Sequence, residues 1–158
     1  KVNFDSPRQS WDGEAYVDSN WGSEPVEAGF RGWQWSRASR GDETCVFYDV
    51  VERSGQERSI AAAFDRQGHV RPLPVAPQHR AEKTLWRVER PYRSEGTRGG
   101  LIKTVEDTPF YARSLMAQTI EGQDCVAIHE SLDVTRYEHP VVQAMLPWRM
   151  PRKNLAPR

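Results

Sequence analysis

Residues 13–22 are the first stretch of this sequence in which side-chain types and spacing suggest chemistry. The segment predicts a strand over residues 14–18, and the two-residue period of a strand places Tyr16, Asp18 and Asn20 on one face. A carboxyl group between a phenol and an amide is an unusual choice for a row that faces an apolar core. Asp18 is therefore a candidate acid. The alternative is a solvated aspartate that closes a turn with its neighbours.

A second aromatic stretch follows at residues 30–37, where a strand would place Trp33, Trp35 and Arg37 on one face. An acid and several aromatic rings inside an apolar cavity could protonate an alkene, because the π faces of the rings would attract the resulting cation. Trp33 and Trp35 are equally suitable as plain core residues, so the pattern leaves both interpretations open.

Composition limits the class of protein. The chain has 158 residues, which suits one domain with a hydrophobic core, and 22 Lys and Arg balance 22 Asp and Glu. A nucleic-acid binder would normally carry a basic excess, so nucleic acid is not an expected partner. Cys45 and Cys125 lack the close spacing of a zinc site. They could be buried thiols or a single disulfide, and buried thiols are expected. Gly99-Gly100 predicts a hairpin and not a phosphate loop, and no metal or other cofactor is predicted.

Turn signals divide the chain into short strands. Predicted strands cover residues 14–18, 30–37, 44–52, 57–65, 69–73, 84–90, 101–106, 111–120 and 125–134, with a loop at 74–82. One short helix is predicted near the C-terminus, at residues 140–146. About eight to nine strands joined by short turns predict an all-β fold, an antiparallel, lipocalin-like up-and-down β-barrel that can hold one small apolar ligand.

Several separate motifs occur in an order that resembles one known family. They are Tyr16-Val-Asp-Ser-Asn20, Trp33-Gln-Trp-Ser-Arg37, Thr84-Leu-Trp-Arg87, Glu106-Asp-Thr-Pro-Phe-Tyr-Ala-Arg-Ser114, His129-Glu-Ser-Leu132 and Leu146-Pro-Trp-Arg-Met-Pro-Arg152. Together they resemble the hydroxyneurosporene synthase family, also called carotenoid 1,2-hydratases, over residues 13–152. The resemblance implies a pair of lipocalin-like β domains.

This chain, which begins at Lys1, is expected to be the second half of that longer two-domain enzyme. It would form a single domain over residues 1–158, with a lead-in at 1–12, the barrel at 13–152 and a tail at 153–158. The N-terminal domain of the same protein is then an expected partner.

The resemblance also implies a reaction, the addition of water to the terminal C1=C2 double bond of an acyclic carotenoid without a cofactor. The family's proton donor falls on Asp18, in a Tyr-x-Asp arrangement that includes Tyr16. The family's His-x-Trp pair does not occur before Tyr16 and would lie outside this chain. The carotenoid and water are therefore the expected substrates.

This chemistry assigns roles to the candidate residues. Protonation of the less substituted carbon leaves a tertiary cation, so Asp18 must carry its proton when the substrate arrives and needs a raised pKa, which burial would supply. Asp18 and Tyr16 are the predicted catalytic residues. Asn20 is expected to orient the carboxyl group or the water, while Trp33 and Trp35 are expected to bind the substrate and line the cation.

Two further residues are predicted to bind substrate, and each has an alternative. Tyr111 lies in an alternating stretch that could instead turn one polar row outward. His129 could instead be a hydrogen-bonded structural histidine.

The location follows from the expected substrate. A long polyene resides in a membrane, so the protein is expected to be cytoplasmic with peripheral membrane contact. Residues 147–150 could make this contact or could equally cover the barrel mouth. No apolar run in the sequence has the ~20 residues needed to span a bilayer. Two other functions stay open: a barrel that binds a hydrophobic ligand without chemistry, and a structural half that completes the active site of its partner domain.

Overall fold

Residues 1–13, 16–17, 19, 21–97 and 99–148 are described in the computed structural model of this chain. Their strands are β1 (Val2–Asp5), β2 (Arg8–Trp11), β3 (Phe30–Arg40), β4 (Glu43–Glu52), β5 (Glu57–Phe64), β6 (Val70–Pro72), β7 (Gln78–Ala81), β8 (Arg90–Arg93), β9 (Gly100–Asp107), β10 (Tyr111–Ile120) and β11 (Gln123–Asp133). The helices of the described part are α1 (Val26–Gly29), α2 (Val134–Tyr137) and α3 (Pro140–Met145). The predicted all-β antiparallel class with a short helix near the C-terminus is confirmed. None of the helices in these residue ranges is long and apolar enough to cross a membrane.

The main sheet has seven strands in the order β6-β5-β4-β3-β11-β10-β9, and all neighbouring pairs are antiparallel. Most neighbours are consecutive in the chain, because a short turn brings the next strand back beside the previous one. The exception is the pair of β3 and β11, which joins the first and last long strands of the described part. Two further hairpins, β1–β2 and β7–β8, form separate two-stranded sheets.

The main sheet has two different faces. On the inner face, small side chains such as Ala38, Cys45 and Ala63 are almost completely buried. The outer face carries the alternate residues of the same strands, among them Trp33, Trp35, Tyr48, Ile60, Leu115 and Ile128. Cys45 and Cys125 are free and buried as predicted, and burial raises the pKa of both thiols.

Arg71 on β6 shows that the sheet curls. Its Nη1 and Nη2 atoms lie 2.8 and 2.9 Å from the carboxylate oxygens of Glu121, which follows β10. In a flat sheet the five strand spacings from β6 to β10 would amount to about 24 Å, far beyond the reach of an arginine side chain. The β7–β8 hairpin lies inside the curl, since Arg93 on β8 donates to Asp49 on β4 at 2.8 and 3.0 Å. The described strand pairs do not join β6 directly to β9.

The strand predicted at residues 84–90 is wrong. The segment forms a turn and irregular backbone before β8, and Arg87 has a positive φ of 61°. Its alternation of apolar and polar residues suits a strand, but Thr84 stabilises the turn locally, because its Oγ1 accepts a hydrogen bond from the Val88 N–H at 3.1 Å.

The start of the chain also differs from the prediction. Residues 1–12, predicted as a lead-in, contain the β1–β2 hairpin, and β7 lies in the predicted loop at 74–82. Tyr16 and Val17 lie in no strand, while residues 14, 15 and 18 are outside the described part. The described part therefore has more strands than predicted. All residues of β1 and β2 are exposed, so these short strands carry no alternation of buried and polar residues.

Candidate active site

Two tryptophans on β3 form the centre of the outer face. Trp33 pairs with Val50 on β4, and Trp35 pairs with Tyr48. Trp33 and Tyr48 meet edge to face, with ring centroids 6.5 Å apart and an angle of 73° between the planes. Aromatic side chains suit a half-buried sheet surface, where one side of a ring covers the neighbouring strands. The outer face of β3 and β4 is therefore an aromatic surface.

Tyr16 lies on this surface. Its ring centroid is 5.1 Å from that of Trp35, with 40° between the planes. The guanidinium carbon of Arg37 is 5.1 Å from the centre of the Tyr16 ring, which is a cation–π distance. The structure thus brings together Tyr16, Trp35 and Arg37, which come from two separate sequence motifs. The predicted acid Asp18 and the predicted substrate-binding Asn20 lie outside the described residues.

Tyr111 reaches the same face from β10. Leu132 lies between Tyr111 and Trp33, since it pairs with both residues across the sheet. The Tyr111 hydroxyl is buried near the side chains of Glu130 and Arg113. Burial raises the pKa of this phenol, so it stays neutral at physiological pH. Tyr111 therefore extends the predicted substrate-binding surface beyond Trp33.

Sequence reasoning missed Tyr48 and an ion pair between Arg113 and Glu130. Arg113 Nη2 lies 2.8 Å from Glu130 Oε1, and Glu130 pairs with Trp35 between β11 and β3. Strand alternation could have placed these side chains on the outer face, but only the register of β11 against β3 puts Glu130 beside Trp35. The ion pair forms a polar border on one side of the aromatic surface.

His129 lies on the inner face, away from this surface. It is 1% exposed, and its Nε2 is 3.2 Å from Ser131 Oγ. Its partners on the neighbouring strands are Ser36 and Ser114. Burial lowers the pKa of His129 to about 4, so the imidazole is neutral near pH 7. The structure does not bring His129 together with Tyr16, and the imidazole is buried beside Ser131 on the inner face.

A buried arginine adds to the polar character of the inner face. Arg90 is 2% exposed and donates to the Glu82 carbonyl oxygen at 2.6 Å, to Thr104 Oγ1 at 2.8 Å and to Ser114 Oγ at 3.3 Å. Desolvation lowers the pKa of Arg90, and its positive charge helps to lower the pKa of His129. These buried polar groups make the middle of the inner face a poor surface for a hydrocarbon.

A cavity of about 380 Å³ opens at the end of the sheet where β3 begins. Its lining includes the apolar side chains of Trp33 and Leu132 and the paired charges of Asp49 and Arg93. A cavity of this size can hold a small ligand, but a charged lining disfavours a hydrocarbon. Since Trp33 belongs to both the cavity and the aromatic surface, the two features are neighbours.

Residues 1–157 match the model of a protein family described as carotenoid hydratase CrtC. The chain belongs to the carotenoid hydratase family. The acyclic carotenoid 1,2-hydratase of Thiocapsa roseopersicina is 43% identical over 154 residues, which covers 96% of this chain and 38% of that protein. The enzyme of the same name from Rubrivivax gelatinosus is 42% identical over 155 residues, which covers 97% of this chain and 38% of that protein. The family predicted from the sequence motifs is thus confirmed.

Both hydratase relatives are much longer than this chain, which spans 38% of the length of each. Among solved structures, an AttH protein of Nitrosomonas europaea has a TM-score of 0.48 and 17% identity, over 72% of this chain and 42% of that one. More than half of each of these two hydratases therefore lies outside the region that matches this chain.

Proposed function

We propose that the protein containing this chain adds water to the terminal C1=C2 double bond of an acyclic carotenoid. The Asp18 carboxyl group gives its proton to C2, which leaves a tertiary cation at C1. The oxygen of a water molecule bonds to C1 and then loses a proton, which gives a tertiary alcohol. One proton is donated and one is released, so the reaction consumes only water, and the carboxyl group regains its proton for the next cycle.

The contact between Tyr16 and Trp35 carries this proposal. Tyr16 belongs to the Tyr-x-Asp arrangement and is two residues from Asp18 in the sequence. Its ring rests on the aromatic surface, 5.1 Å from Trp35. The residue that accompanies the proposed acid is therefore next to π faces that can stabilise a carbon cation, by roughly 0.5–2 kcal/mol for each ring in analogy with ammonium pairs.

The other predicted residues take roles that follow from their places. Trp33, Trp35 and Tyr111 provide one wall of the substrate site, since all three belong to the outer face. Asn20 orients the carboxyl group or the attacking water. His129 has no direct role in this proposal, because it lies on the inner face and is 1% exposed.

The proposal includes parts of the protein beyond this chain. Residues 13–152 act as one lipocalin-like domain, the second half of a two-domain enzyme, and the N-terminal domain completes the site. The greater length of the hydratase relatives supports this arrangement. The protein is placed in the cytoplasm with peripheral contact to a membrane, because an acyclic carotenoid dissolves in lipid and not in water.

The test is an assay of the full-length protein with an acyclic carotene in water enriched in heavy oxygen. Wild-type protein is expected to give a tertiary alcohol that carries the label. Asp18→Asn is expected to abolish turnover, because an amide cannot donate the proton. Quenching of tryptophan fluorescence by the carotene is expected to persist in this variant. Asp42→Asn is a matched control, since Asp42 is 83% exposed and forms an ion pair with Arg66.

The outcomes separate the competing functions. Unchanged turnover in Asp18→Asn would remove Asp18 from the mechanism and leave the hydratase activity intact. Carotene binding by the wild-type protein without any labelled alcohol would support the alternative, a non-catalytic domain that binds a hydrophobic ligand.

A further inference from the structure

The connection between β7 and β8 ends in an apolar tip. Leu85 is 92% exposed and Trp86 is 41% exposed. Both side chains lie in the turn at residues 83–88, here called the 83–88 turn. Leu85 is thus almost fully exposed at the tip, while Trp86 exposes less than half of its surface beside it. Exposed apolar side chains that lie side by side can mark an interaction site.

Hydrogen bonds within the 83–88 turn hold this tip in place. The Arg87 N–H donates to the Thr84 carbonyl oxygen at 2.8 Å, and the Thr84 N–H donates to the Val88 carbonyl oxygen at 3.2 Å. Thr84 and Val88 are buried at the base of the turn, with exposed fractions of 7% and 2%. Arg87 has a φ of 61°, a conformation that non-glycine residues seldom adopt. The fold thus maintains a strained turn that directs Leu85 outward.

Several backbone groups of the tip are hydrogen-bonded within the protein. The Trp86 N–H donates to Asp107 Oδ2 at 3.3 Å, and Arg136 Nη1 donates to the Trp86 carbonyl oxygen at 2.6 Å. The N–H groups of Thr84, Arg87 and Val88 are also bonded within the protein. Hydrocarbon offers no hydrogen-bond partners, so a segment that enters a bilayer must satisfy its backbone internally. The 83–88 turn meets this requirement at these positions.

The charges around the tip suit the surface of a bilayer. Lys83 and Glu89 form an ion pair at 2.5 Å, so they add no net charge. Arg87 places a long cationic side chain beside the apolar pair, where its stem can lie along lipid while its head remains in water. Tryptophan is enriched at membrane–water interfaces for the same reason.

We infer that the 83–88 turn is a membrane-contact site, at which Leu85 and Trp86 enter the interfacial layer of a lipid bilayer. The inference rests on the proposed function for its purpose, since a hydratase of acyclic carotenoids must take its substrate from lipid. Val88 and Glu89 line the same cavity as Trp33. Contact through the turn therefore places that cavity and the nearby end of the aromatic surface close to the bilayer.

The test is flotation of the full-length protein with vesicles of phosphatidylcholine, alone or mixed with phosphatidylglycerol. Leu85→Asp is expected to reduce the partition coefficient about tenfold or more on both kinds of vesicle, because an apolar contact is replaced by a charge. Val70→Asp is the matched control and is expected to float like the wild type. Val70 is a similarly exposed apolar residue, at 61%, and it lies beside Arg71 at the opposite end of the sheet.

Circular dichroism and the thermal midpoint establish that each variant is folded. Leu85→Gln is a milder substitution at the same position, because glutamine is polar but uncharged. Equal flotation of Leu85→Asp and wild-type protein would overturn the inference. So would a wild-type protein that does not float while Leu85→Asp lowers the thermal midpoint, because Leu85 would then be covered by another part of the protein. Flotation restricted to the anionic vesicles and unaffected by Leu85→Asp would also overturn it.

Turnover in the same samples separates this inference from the proposed function. Leu85→Asp is expected to hydrate carotene dissolved in detergent at the wild-type rate, and to lose activity on carotene held in vesicles. A wild-type protein that floats through Leu85 but forms no alcohol in either medium would contradict the hydratase proposal and leave the membrane-contact site in place.

Discussion

Tyr16 and Trp35 lie ring against ring on the outer face, with centroids 5.1 Å apart and 40° between their planes. This contact joins a residue that precedes β3 in the sequence to the centre of that strand. Trp35 also pairs with Tyr48 on β4, so the surface beneath Tyr16 extends over two strands. The ring of Tyr16 therefore lies over two paired strands of the main sheet.

Replacement of Trp35 tests the role of its ring in the full-length protein. Trp35→Leu keeps an apolar side chain but removes the π face, and it is expected to lower kcat about 2- to 30-fold if the ring stabilises the cation. Trp35→Phe retains a ring and is expected to lose less. Phe64→Leu is the control. Phe64 is an aromatic residue on the same face of β5 as Ile60, the partner of Tyr48, but it lies four residues further along the strand. Equal losses in Trp35→Leu and Trp35→Phe would show that the position contributes only packing.

Gly32 controls the approach of β11 to β3. A Cβ atom at this position would lie 2.5 Å from the Leu132 carbonyl oxygen, which is a backbone atom that cannot move without shifting β11. Gly32→Ala is therefore expected to lower the free energy of unfolding by about 1–3 kcal/mol, the cost typical of overpacking. Gly29→Ala is the control, because the nearest atom to its Cβ would be a Glu24 side-chain oxygen at 3.7 Å. Urea denaturation measures both, and equal midpoints for the two variants would contradict the prediction.

Local signals in the sequence predicted much of the sheet. The turn at residues 53–56 gives the β4–β5 hairpin, and the helix predicted at residues 140–146 corresponds to α3, Pro140–Met145. These features depend on residues close together in the chain. The turn at residues 84–88 was not predicted, because its alternating pattern also suits a strand and only the hydrogen bonds of Thr84 distinguish the two.

The candidate site was predictable only in part, for a different physical reason. Strand alternation placed Trp33 and Trp35 on one face, and this holds in the structure. Whether His129 shares that face depends on the register of β11 against β3, strands far apart in the chain. The observed register pairs His129 with Ser36, a residue of the opposite face. A shift of one residue would have reversed this result, so no local pattern could have decided it.

The buried His129 makes stability depend on pH. Its pKa is about 4 in the folded protein, below its ordinary value of 6.5, because burial disfavours the charged form. As the pH falls, the unfolded chain therefore takes up the proton before the folded protein does. The contribution of His129 to stability is fully present above pH 6.5 and is lost as the pH falls toward 4. When the pH has fallen below about 4, this loss of unfolding free energy is on the order of 3 kcal/mol.

His129→Gln is expected to flatten the pH dependence of the unfolding free energy over this range, as measured by urea denaturation at several pH values. His69→Gln is the control, since the side chain of His69 is 81% exposed and lies 2.8 Å from an Asp65 oxygen. A slope in His129→Gln as steep as in the wild type would show that another group causes the dependence.

Arg37 provides a test of the proton donor. Its guanidinium carbon lies 5.1 Å from the centre of the Tyr16 ring, and Tyr16 is two residues from the proposed acid Asp18 in the sequence. A nearby positive charge lowers the pKa of a carboxyl group, because it favours the charged form. If Asp18 donates the proton, activity falls as the pH rises through the pKa of its carboxyl group. Arg37→Met removes the cation and raises that pKa, so the fall is expected to move to higher pH in a profile of kcat/KM. Arg66→Met is the control, since Arg66 is 75% exposed and pairs with Asp42. A profile that moves to lower pH, or does not move, would mean that the group that must be protonated is not a carboxyl beside Arg37.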